Sequence, residues 1–209
     1  MHNLEVLDNG FQTVVLCLMM ILAGISGIKE QSRKLIVLAC TYGSWMMGTL
    51  FYMLHLTITG DIPRIFYVSE ISWMAAYLFL LFLLTLRWEE WTKKVKGSSI
   101  VILALMIGLS LYNELMGPSR IFSVGFGIIS GLCMIISLDH YRWCREQDHN
   151  FPLFDVVLWG LILLQNLLYF VSEYTFDYTK WNMYYTVDVT FTLTMASLWP
   201  LLKKEVTQK

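Results

Sequence analysis

Residues 65–86 read IFYVSEISWMAAYLFLLFLLTL and contain a single charged side chain, Glu70. An apolar segment of about 20 residues predicts a helix that crosses a bilayer, because such a helix covers the hydrocarbon core. The chain therefore predicts an all-α polytopic membrane protein, with seven transmembrane helices in a single domain over residues 1–209. The seven predicted helices are residues 11–28, 36–58, 65–86, 99–113, 120–138, 153–174 and 183–202.

The composition favours a membrane protein over a soluble domain. Hydrophobic residues make up 56% of the chain and charged residues 15%, whereas soluble domains are about 45–50% apolar and about 25% charged. Helices are expected because unpaired backbone groups cost several kcal/mol in lipid, and the short alternating segments of a barrel are not seen. The net charge of −1 gives no reason to expect nucleic acid as a partner. The expected partner is the lipid bilayer, and the expected location is the bacterial cytoplasmic membrane.

Lysine and arginine are distributed unequally between the two sets of loops. One side of the predicted membrane carries the connections that follow the odd-numbered helices, together with the C-terminal tail. The lysines and arginines on that side are Lys29, Arg33, Lys34, Arg87, Lys93, Lys94, Lys96, Arg142, Arg145, Lys203, Lys204 and Lys209. The other side holds Arg64, Arg120 and Lys180. Because short cytoplasmic loops are enriched in these residues, we expect the N-terminus outside and the C-terminus in the cytoplasm. The loops are short, so we expect no separate output domain.

An internal repeat is suggested by aligning residues 50–72 with residues 168–190 without gaps. The alignment pairs Glu70 with Asp188, so polar positions inside two apolar segments coincide. Two unrelated apolar segments also align this well by chance, so both a repeat and its absence remain open. The repeat predicts a 3+1+3 plan, with parallel halves at residues 11–86 and 120–202 and a linking helix at residues 99–113.

Two carboxylates fall inside predicted helices at the same depth. Glu70 and Asp188 each lie five residues into their segment, about 8 Å below the outer end. A charge near the centre of a span costs at least about 2.5–3.5 kcal/mol, so such residues usually serve a function. Two such acids could exchange a proton or cation during a conformational change. They could instead pair with Arg64 or Lys180 and serve only helix packing.

Polar and aromatic side chains continue from these acids at helical spacing on the second, third, sixth and seventh predicted helices. Converging faces would form an outward-opening pocket with an acidic mouth and aromatic walls, suited to a small cationic or amphipathic ligand. The alternative is core packing for the aromatic residues and solvated helix ends for His55 and Glu173. The candidate ligand-binding residues are Glu70, Asp188, His55, Glu173, Trp73, Tyr52, Asn166, Trp159, Tyr77 and Thr192.

No catalytic or metal-binding set is evident in the sequence. The four cysteines form no CxxC pair, and the four histidines fall on opposite sides of the predicted membrane. We therefore expect no enzyme, no cofactor and no metal, with a lipid-modifying enzyme as a weaker alternative. A transporter or permease is favoured. The second reading is a seven-helix sensor, receptor-like or immunity protein that acts through a separate partner subunit, and a homo-oligomer is also open.

Short segments of the chain resemble the microbial rhodopsins. Residues 156–159 resemble their retinal-pocket helix, and residues 187–190 resemble the stretch that holds their seventh-helix counter-ion. Arg64 ahead of Glu70 is similar to the arginine and carboxylate of their third helix. The resemblance implies a seven-helix bundle with its N-terminus outside. Covalently bound retinal is not expected, because Thr192 stands where those proteins carry the retinal-binding lysine.

The 3+1+3 plan resembles the sugar and vitamin transporters of the SWEET and PQ-loop type. That resemblance implies transport, although their proline–glutamine signature is missing here. The chain is also similar to small seven-helix membrane proteins of Firmicutes, a similarity that implies no function.

Overall fold

The computed structural model describes residues 3–60, 67–87, 97–114, 120–146 and 151–207. Within these residues the protein is all-helical and contains no strand. Its seven helices are α1 (Asn3–Lys29), α2 (Arg33–Thr59), α3 (Tyr67–Arg87), α4 (Gly97–Glu114), α5 (Arg120–Glu146), α6 (Leu153–Glu173) and α7 (Met183–Thr207). The all-α class is therefore confirmed, with a helix at each of the seven predicted places.

Five of the helices, α1, α2, α3, α5 and α6, are long and apolar enough to cross a membrane. Helix α4 has a shorter apolar stretch, Ile100–Leu109. Helix α7 is long, but its threonines, Asp188 and the charged residues after Leu202 lower its hydropathy. The structure thus supports a membrane-type helical bundle, while spanning by all seven helices stays a prediction.

Six helices form a closed ring in the order α1, α2, α3, α5, α6 and α7, and α7 packs back against α1. Helix α2 also touches α7 across the ring, and α4 packs outside it against α5 and α6. Contacts between α1 and α7 near their first residues show that these two helices run parallel. We call the end where α1 and α7 begin the amino-terminal end of the bundle, and the opposite end the carboxyl-terminal end.

Helix α1 has one polar face and one apolar face, and the polar face points into the bundle. Its inward face buries Glu5, Asp8, Asn9 and Gln12. A surface helix of a soluble protein would place such residues outward and its apolar residues inward. The reversed pattern suits a bundle surrounded by lipid, in which polar groups turn to the protein interior. The outward apolar side chains are 40–75% exposed, namely Leu7, Phe11, Val14, Leu18, Ile21, Ile25 and Ile28.

Three helices extend beyond the segments predicted from hydropathy. Helix α1 begins at residue 3 instead of 11, α5 ends at residue 146 instead of 138, and α7 ends at residue 207 instead of 202. The added turns carry polar residues that pack against other helices, so a hydropathy pattern does not reveal them. These turns supply residues to two polar clusters, one at each end of the bundle.

Helices α2 and α3 approach closely at Gly48. The Ser69 hydroxyl donates a hydrogen bond of 2.9 Å to the Gly48 carbonyl oxygen. A methyl group on Gly48 would lie 2.7 Å from Nε1 of Trp73 and 3.0 Å from the Ser69 carbonyl oxygen. The missing side chain of Gly48 therefore makes this helix contact possible.

Aromatic rings fill the centre of the bundle beside this contact. The Trp45 ring of α2 lies 6.2 Å from the ring of Trp73 and 5.4 Å from that of Tyr77, both on α3. It lies 5.0 Å from the ring of Phe191 on α7. Tyr77 in turn meets Phe126 of α5 edge-on at 4.8 Å. Trp45 thus separates α3 from α7 at this level.

Candidate functional site

A polar cluster lies at the amino-terminal end of the bundle, where α1, α2 and α7 meet. Residues three or four positions apart share one face of a helix, which places the polar residues of the first turns of α1 together. Side chains from α2 and α7 face them. We call this group the acidic cluster, and its members are Glu5, Asp8, Asn9, Gln12, Thr49, Tyr52, Asp188 and Thr192.

Gln12 is the polar link between the three helices of the acidic cluster. Its side-chain amide donates hydrogen bonds to Asp188 Oδ1 at 3.1 Å and to Thr192 Oγ1 at 2.9 Å. Its side-chain oxygen accepts a hydrogen bond of 2.7 Å from the Thr49 hydroxyl. One residue of α1 is therefore bonded to both α2 and α7, and polar bonds of this kind hold helices together where lipid replaces water.

Two carboxyl groups of the acidic cluster face each other across α1 and α7. Asp8 and Asp188 lie within hydrogen-bonding reach, and Glu5 lies close enough to Asp8 for their charges to interact. Asp8 is 8% exposed and Asp188 is 4% exposed. The Asp8 Oδ2 atom is buried without a hydrogen-bond partner. Two carboxylates this close repel each other unless a proton or a cation neutralises one of them.

Tyrosine side chains surround these acids. The Tyr52 hydroxyl donates to Glu5 Oε1 at 2.5 Å, and the Tyr185 hydroxyl donates to the Tyr178 carbonyl oxygen at 2.7 Å. The rings of Tyr178, Tyr184 and Tyr185 meet edge-on at 5.3–6.4 Å. Burial and the nearby Glu5 charge raise the pKa of Tyr178 above its usual range. Carboxylates beside electron-rich rings form an environment that attracts cations.

Neither Asp8 nor Asp188 has a basic partner in the described part of the chain. Across the same described ranges, no three histidine, cysteine or acidic side chains are placed to hold a metal ion. Two facing carboxylates can accept a proton or a monovalent cation between them.

An apolar cleft of about 700 Å³ opens at the same end of the bundle, between the end of α6 and the start of α7. Hydrogen bonds from Thr179 lower the pKa of Asp177 on its rim, so the rim stays negative at neutral pH. An apolar wall with a negative rim suits the approach of an amphipathic cation. The cleft is lined by Phe170, Val171, Tyr174, Thr175, Phe176, Asp177, Asn182 and Met183.

We expect Gln12→Leu to loosen the packing of α1 on α2 and α7. The change removes the three hydrogen bonds of Gln12, and bonds of this kind in membranes contribute about 0.6–1.7 kcal/mol each. The free energy of unfolding, followed in detergent against added denaturing surfactant, should fall by about 1–3 kcal/mol. Thr13→Val is the control, because the Thr13 hydroxyl donates to the Asn9 carbonyl oxygen of its own helix. Equal losses in the two variants would contradict the linking role of Gln12.

The structure brings three of the sequence-predicted site residues together. Asp188, Thr192 and Tyr52 all belong to the acidic cluster, but their contacts run to Gln12 and Glu5 of α1. Helix α1 was not among the helices expected to form the pocket. The role of these residues in ligand binding stays a prediction.

The other predicted site residues lie elsewhere on the helices. Glu70 is half-buried in the first turn of α3, and the backbones of α3 and α7 are not in contact within the described ranges. Glu173 is exposed at the end of α6, and half-buried His55 lies beside Phe51. The remaining four pack within the bundle: Trp73 against Trp45, Tyr77 against Phe126, Trp159 against Tyr141, and Asn166 by a 2.8 Å bond to the Ile162 carbonyl oxygen.

A second polar cluster lies at the carboxyl-terminal end of the bundle. Arg87, at the end of α3, donates two hydrogen bonds of 3.1 and 3.2 Å to Asp155 of α6. It donates two more, of 3.0 and 2.8 Å, to Glu205 of α7. The Asp155 side chain is fully buried, that of Arg87 is 3% exposed and that of Glu205 is 37% exposed. We call these three residues the arginine cluster.

Helix α5 completes the surroundings of Asp155. The Ser137 hydroxyl donates to Asp155 Oδ1 at 2.9 Å, and the His140 ring lies 2.7 Å from Oδ2 through Nδ1. The Cys144 thiol lies 3.6 Å from Nε2 of the same histidine. Asp155 therefore has partners from α3 and α5, which satisfies a buried carboxylate.

Both polar clusters contain residues that hydropathy reasoning missed. Glu5, Asp8 and Asn9 precede the first predicted helix, which begins at residue 11, and Gln12 inside that helix is not among the candidate site residues. The spacing of these four residues nevertheless has the period of one helix face. Asp155 lies inside a predicted span, yet its partner Arg87 was counted only as a loop charge. Polar spacing at helix ends would have indicated the first cluster; the second depends on tertiary contacts that the sequence does not show.

Comparison of the chain with protein-family models, with curated proteins and with solved structures finds no match.

Proposed function

We propose that this protein is a seven-helix membrane transporter for a small cationic or amphipathic solute, and that the acidic cluster binds the solute or the proton that drives its movement. The observation that carries this proposal is the buried Asp8–Asp188 pair, which has no basic partner in the described residues. Buried acids in membrane bundles commonly serve ion or proton pathways because their burial is costly.

The position of the acidic cluster fits uptake or release at one membrane face. The excess of lysine and arginine on the side of the carboxyl-terminal end supports an orientation with the amino-terminal end outside. The acids then lie near the outer surface, with Glu5 close enough to Tyr178 for its charge to act on it and with the apolar cleft at the same end of the bundle. A cation would meet the negative rim, the tyrosine rings and the carboxylates in that order.

The ring of helices supports the proposed 3+1+3 repeat. The repeat matches α1 with α5, α2 with α6 and α3 with α7. When each helix is replaced by its match, every neighbouring pair in the ring becomes another neighbouring pair. Helix α4 lies outside the ring, as expected of a linker. Transporters with two repeats move solutes by rocking one half against the other around a shared site. The acidic cluster lies between the halves, since Asp8 and Gln12 belong to the first and Asp188 to the second.

The proposal is tested by uptake into liposomes that contain the purified protein. Labelled methylammonium and choline are the probes, with and without an imposed proton gradient. We expect Asp8→Asn and Asp188→Asn each to lower the initial rate at sub-saturating probe by about tenfold, because each change removes a carboxylate from the proposed site. A tenfold change corresponds to about 1.4 kcal/mol of binding free energy. Glu173→Gln is the control, since it removes an exposed acid at the same end.

The same assay separates the two candidate positions of the site. A loss with Glu70→Gln but not with Asp8→Asn would favour the pocket predicted from the sequence over the acidic cluster. Uptake equal to that of empty liposomes for both probes under both conditions would count against transport of simple cations.

A binding protein that senses a cation is the second candidate. The arginine cluster closes the carboxyl-terminal end, which suits a site that communicates with one side of the membrane. Saturable methylammonium or choline binding without uptake, together with a copurifying membrane partner, would favour sensing over transport.

A further inference from the structure

We propose that the arginine cluster of Arg87, Asp155 and Glu205 is a gate, which closes the carboxyl-terminal end of the bundle and opens when the two three-helix halves separate. The proposal rests on the proposed transport function. Its test needs no transported solute, so the two can fail separately.

Every bond of Arg87 within the arginine cluster crosses between the halves. Arg87 belongs to the first half, whereas Asp155 and Glu205 belong to the second. The guanidinium also lies 4.2 Å from the centre of the Phe154 ring, again in the second half. Movement of one half against the other at this end must therefore break these bonds together.

In the proposed repeat Arg87 and Glu205 are equivalent positions, and their contact would then lie near the centre of the ring. The two residues are 118 positions apart, and the same shift relates Glu70 to Asp188 in the proposed repeat. Residues related by a two-fold axis can touch each other only close to that axis. The Arg87–Glu205 contact thus marks the line between the halves along which a solute would pass.

The energetics suit a contact that opens. A buried ion pair gains little net stability over an apolar contact, because its attraction is offset by the loss of hydration. The Glu205 side chain is 37% exposed, so water reaches one member of the cluster without any rearrangement. At the opposite end Gln12 also bridges the halves through Asp188 and Thr192. Both ends are bridged in this structure, which corresponds to a closed state of the pathway.

A natural cysteine reports on this gate. Cys144 is 5% exposed and contacts His140, whose ring bonds to Asp155. Opening of the gate should expose its thiol to water. Cys133 is fully buried nearer the middle of α5, 4.0 Å from the Tyr77 carbonyl oxygen. It serves as the matched control for opening deeper in the bundle, because it lies between α3 and α5 away from the cluster.

The experiment measures alkylation by a membrane-impermeant maleimide in oriented vesicles. One background keeps Cys144 alone and the other keeps Cys133 alone, with the remaining cysteines changed to alanine. We expect Asp155→Asn to raise the Cys144 labelling rate about tenfold from the carboxyl-terminal side, because the rate follows the population of the open state. Glu205→Gln, at a half-exposed position, should give a smaller increase, and Arg142→Gln should give none, since Arg142 lies near Asp139 of its own helix.

Three outcomes would overturn the gate. Unchanged Cys144 labelling in both Asp155→Asn and Glu205→Gln would show that the cluster does not limit access. Equal acceleration at Cys133 would show that the opening is not confined to the carboxyl-terminal end. Labelling from the amino-terminal side alone would place the opening at the wrong end. Glu205→Gln retains the bonds between Arg87 and Asp155, so it keeps the test decisive if Asp155→Asn does not fold.

Discussion

Replacing Asp155 with alanine will lower the free energy of unfolding by about 3–5 kcal/mol. The change removes the carboxylate that accepts two bonds from Arg87, and it leaves Ser137 and His140 without this shared partner. The Arg87 side chain, 3% exposed, then keeps Glu205 as its remaining carboxylate partner in the cluster. Surfactant-induced unfolding in detergent, followed by tryptophan fluorescence, measures the loss.

A double-mutant cycle with Arg87→Gln tests whether the loss comes from the ion pair. If it does, the double variant will lose less than the sum of the two single losses, by about 1 kcal/mol or more, because no guanidinium is left without its partner. Additive losses would show that Asp155 stabilises the bundle through α5 alone. Asp139→Ala provides a reference, since it removes a partly exposed acid within α5.

Gly48→Leu will disrupt the contact between α2 and α3. Even the first carbon of the new side chain would lie 2.7 Å from the Trp73 ring nitrogen and 3.0 Å from the Ser69 carbonyl oxygen. A backbone atom cannot move aside as a flexible side chain can, so the two helices must separate. Overpacking of this kind costs about 1–3 kcal/mol and occasionally more, and we expect the upper part of that range in the same unfolding measurement.

Gly48→Ala and Gly160→Ala form the matched pair for this prediction. A methyl group at Gly160 meets no atom within 4 Å, so that change should stabilise the protein by up to about 1 kcal/mol through helix propensity. The same methyl group at Gly48 should destabilise it. Stabilisation in both variants would show that α2 and α3 adjust without cost.

The sequence predicted the helices well because lipid imposes a simple rule on them. Residues 65–86 form an apolar segment, and α3 occupies residues 67–87. The ends of α1, α5 and α7 could not be placed in this way, since their added turns are polar and packed against other helices. The order of the helices in the ring could not be predicted either, because hydropathy does not show which helix a given helix face packs against.

The sequence predicted the kinds of residue in the candidate site better than it predicted the position of the site. Asp188 was singled out because a charge in an apolar segment is costly, and the structure does bury it. Its partner, Asp8, precedes the first predicted helix, which begins at residue 11, and is not among the candidate site residues. Glu70 was chosen as partner because it shares the depth of Asp188, but depth alone does not show which helices are neighbours. That information lies in contacts such as that between Trp45 and Phe191.

Helix α7 is too polar to enter a bilayer readily by itself. Asp188 is covered by α1, and the Tyr42 hydroxyl of α2 donates to the Met195 carbonyl oxygen at 2.9 Å. An acid inside a span carries an insertion cost of up to about 2.5–3.5 kcal/mol, which the contacts of α7 with α1 and α2 would offset in a membrane. Membrane insertion of α7 should therefore depend on the helices that cover its polar residues. Changes to the α1 face that covers Asp188 should then lower the fraction of α7 that is inserted.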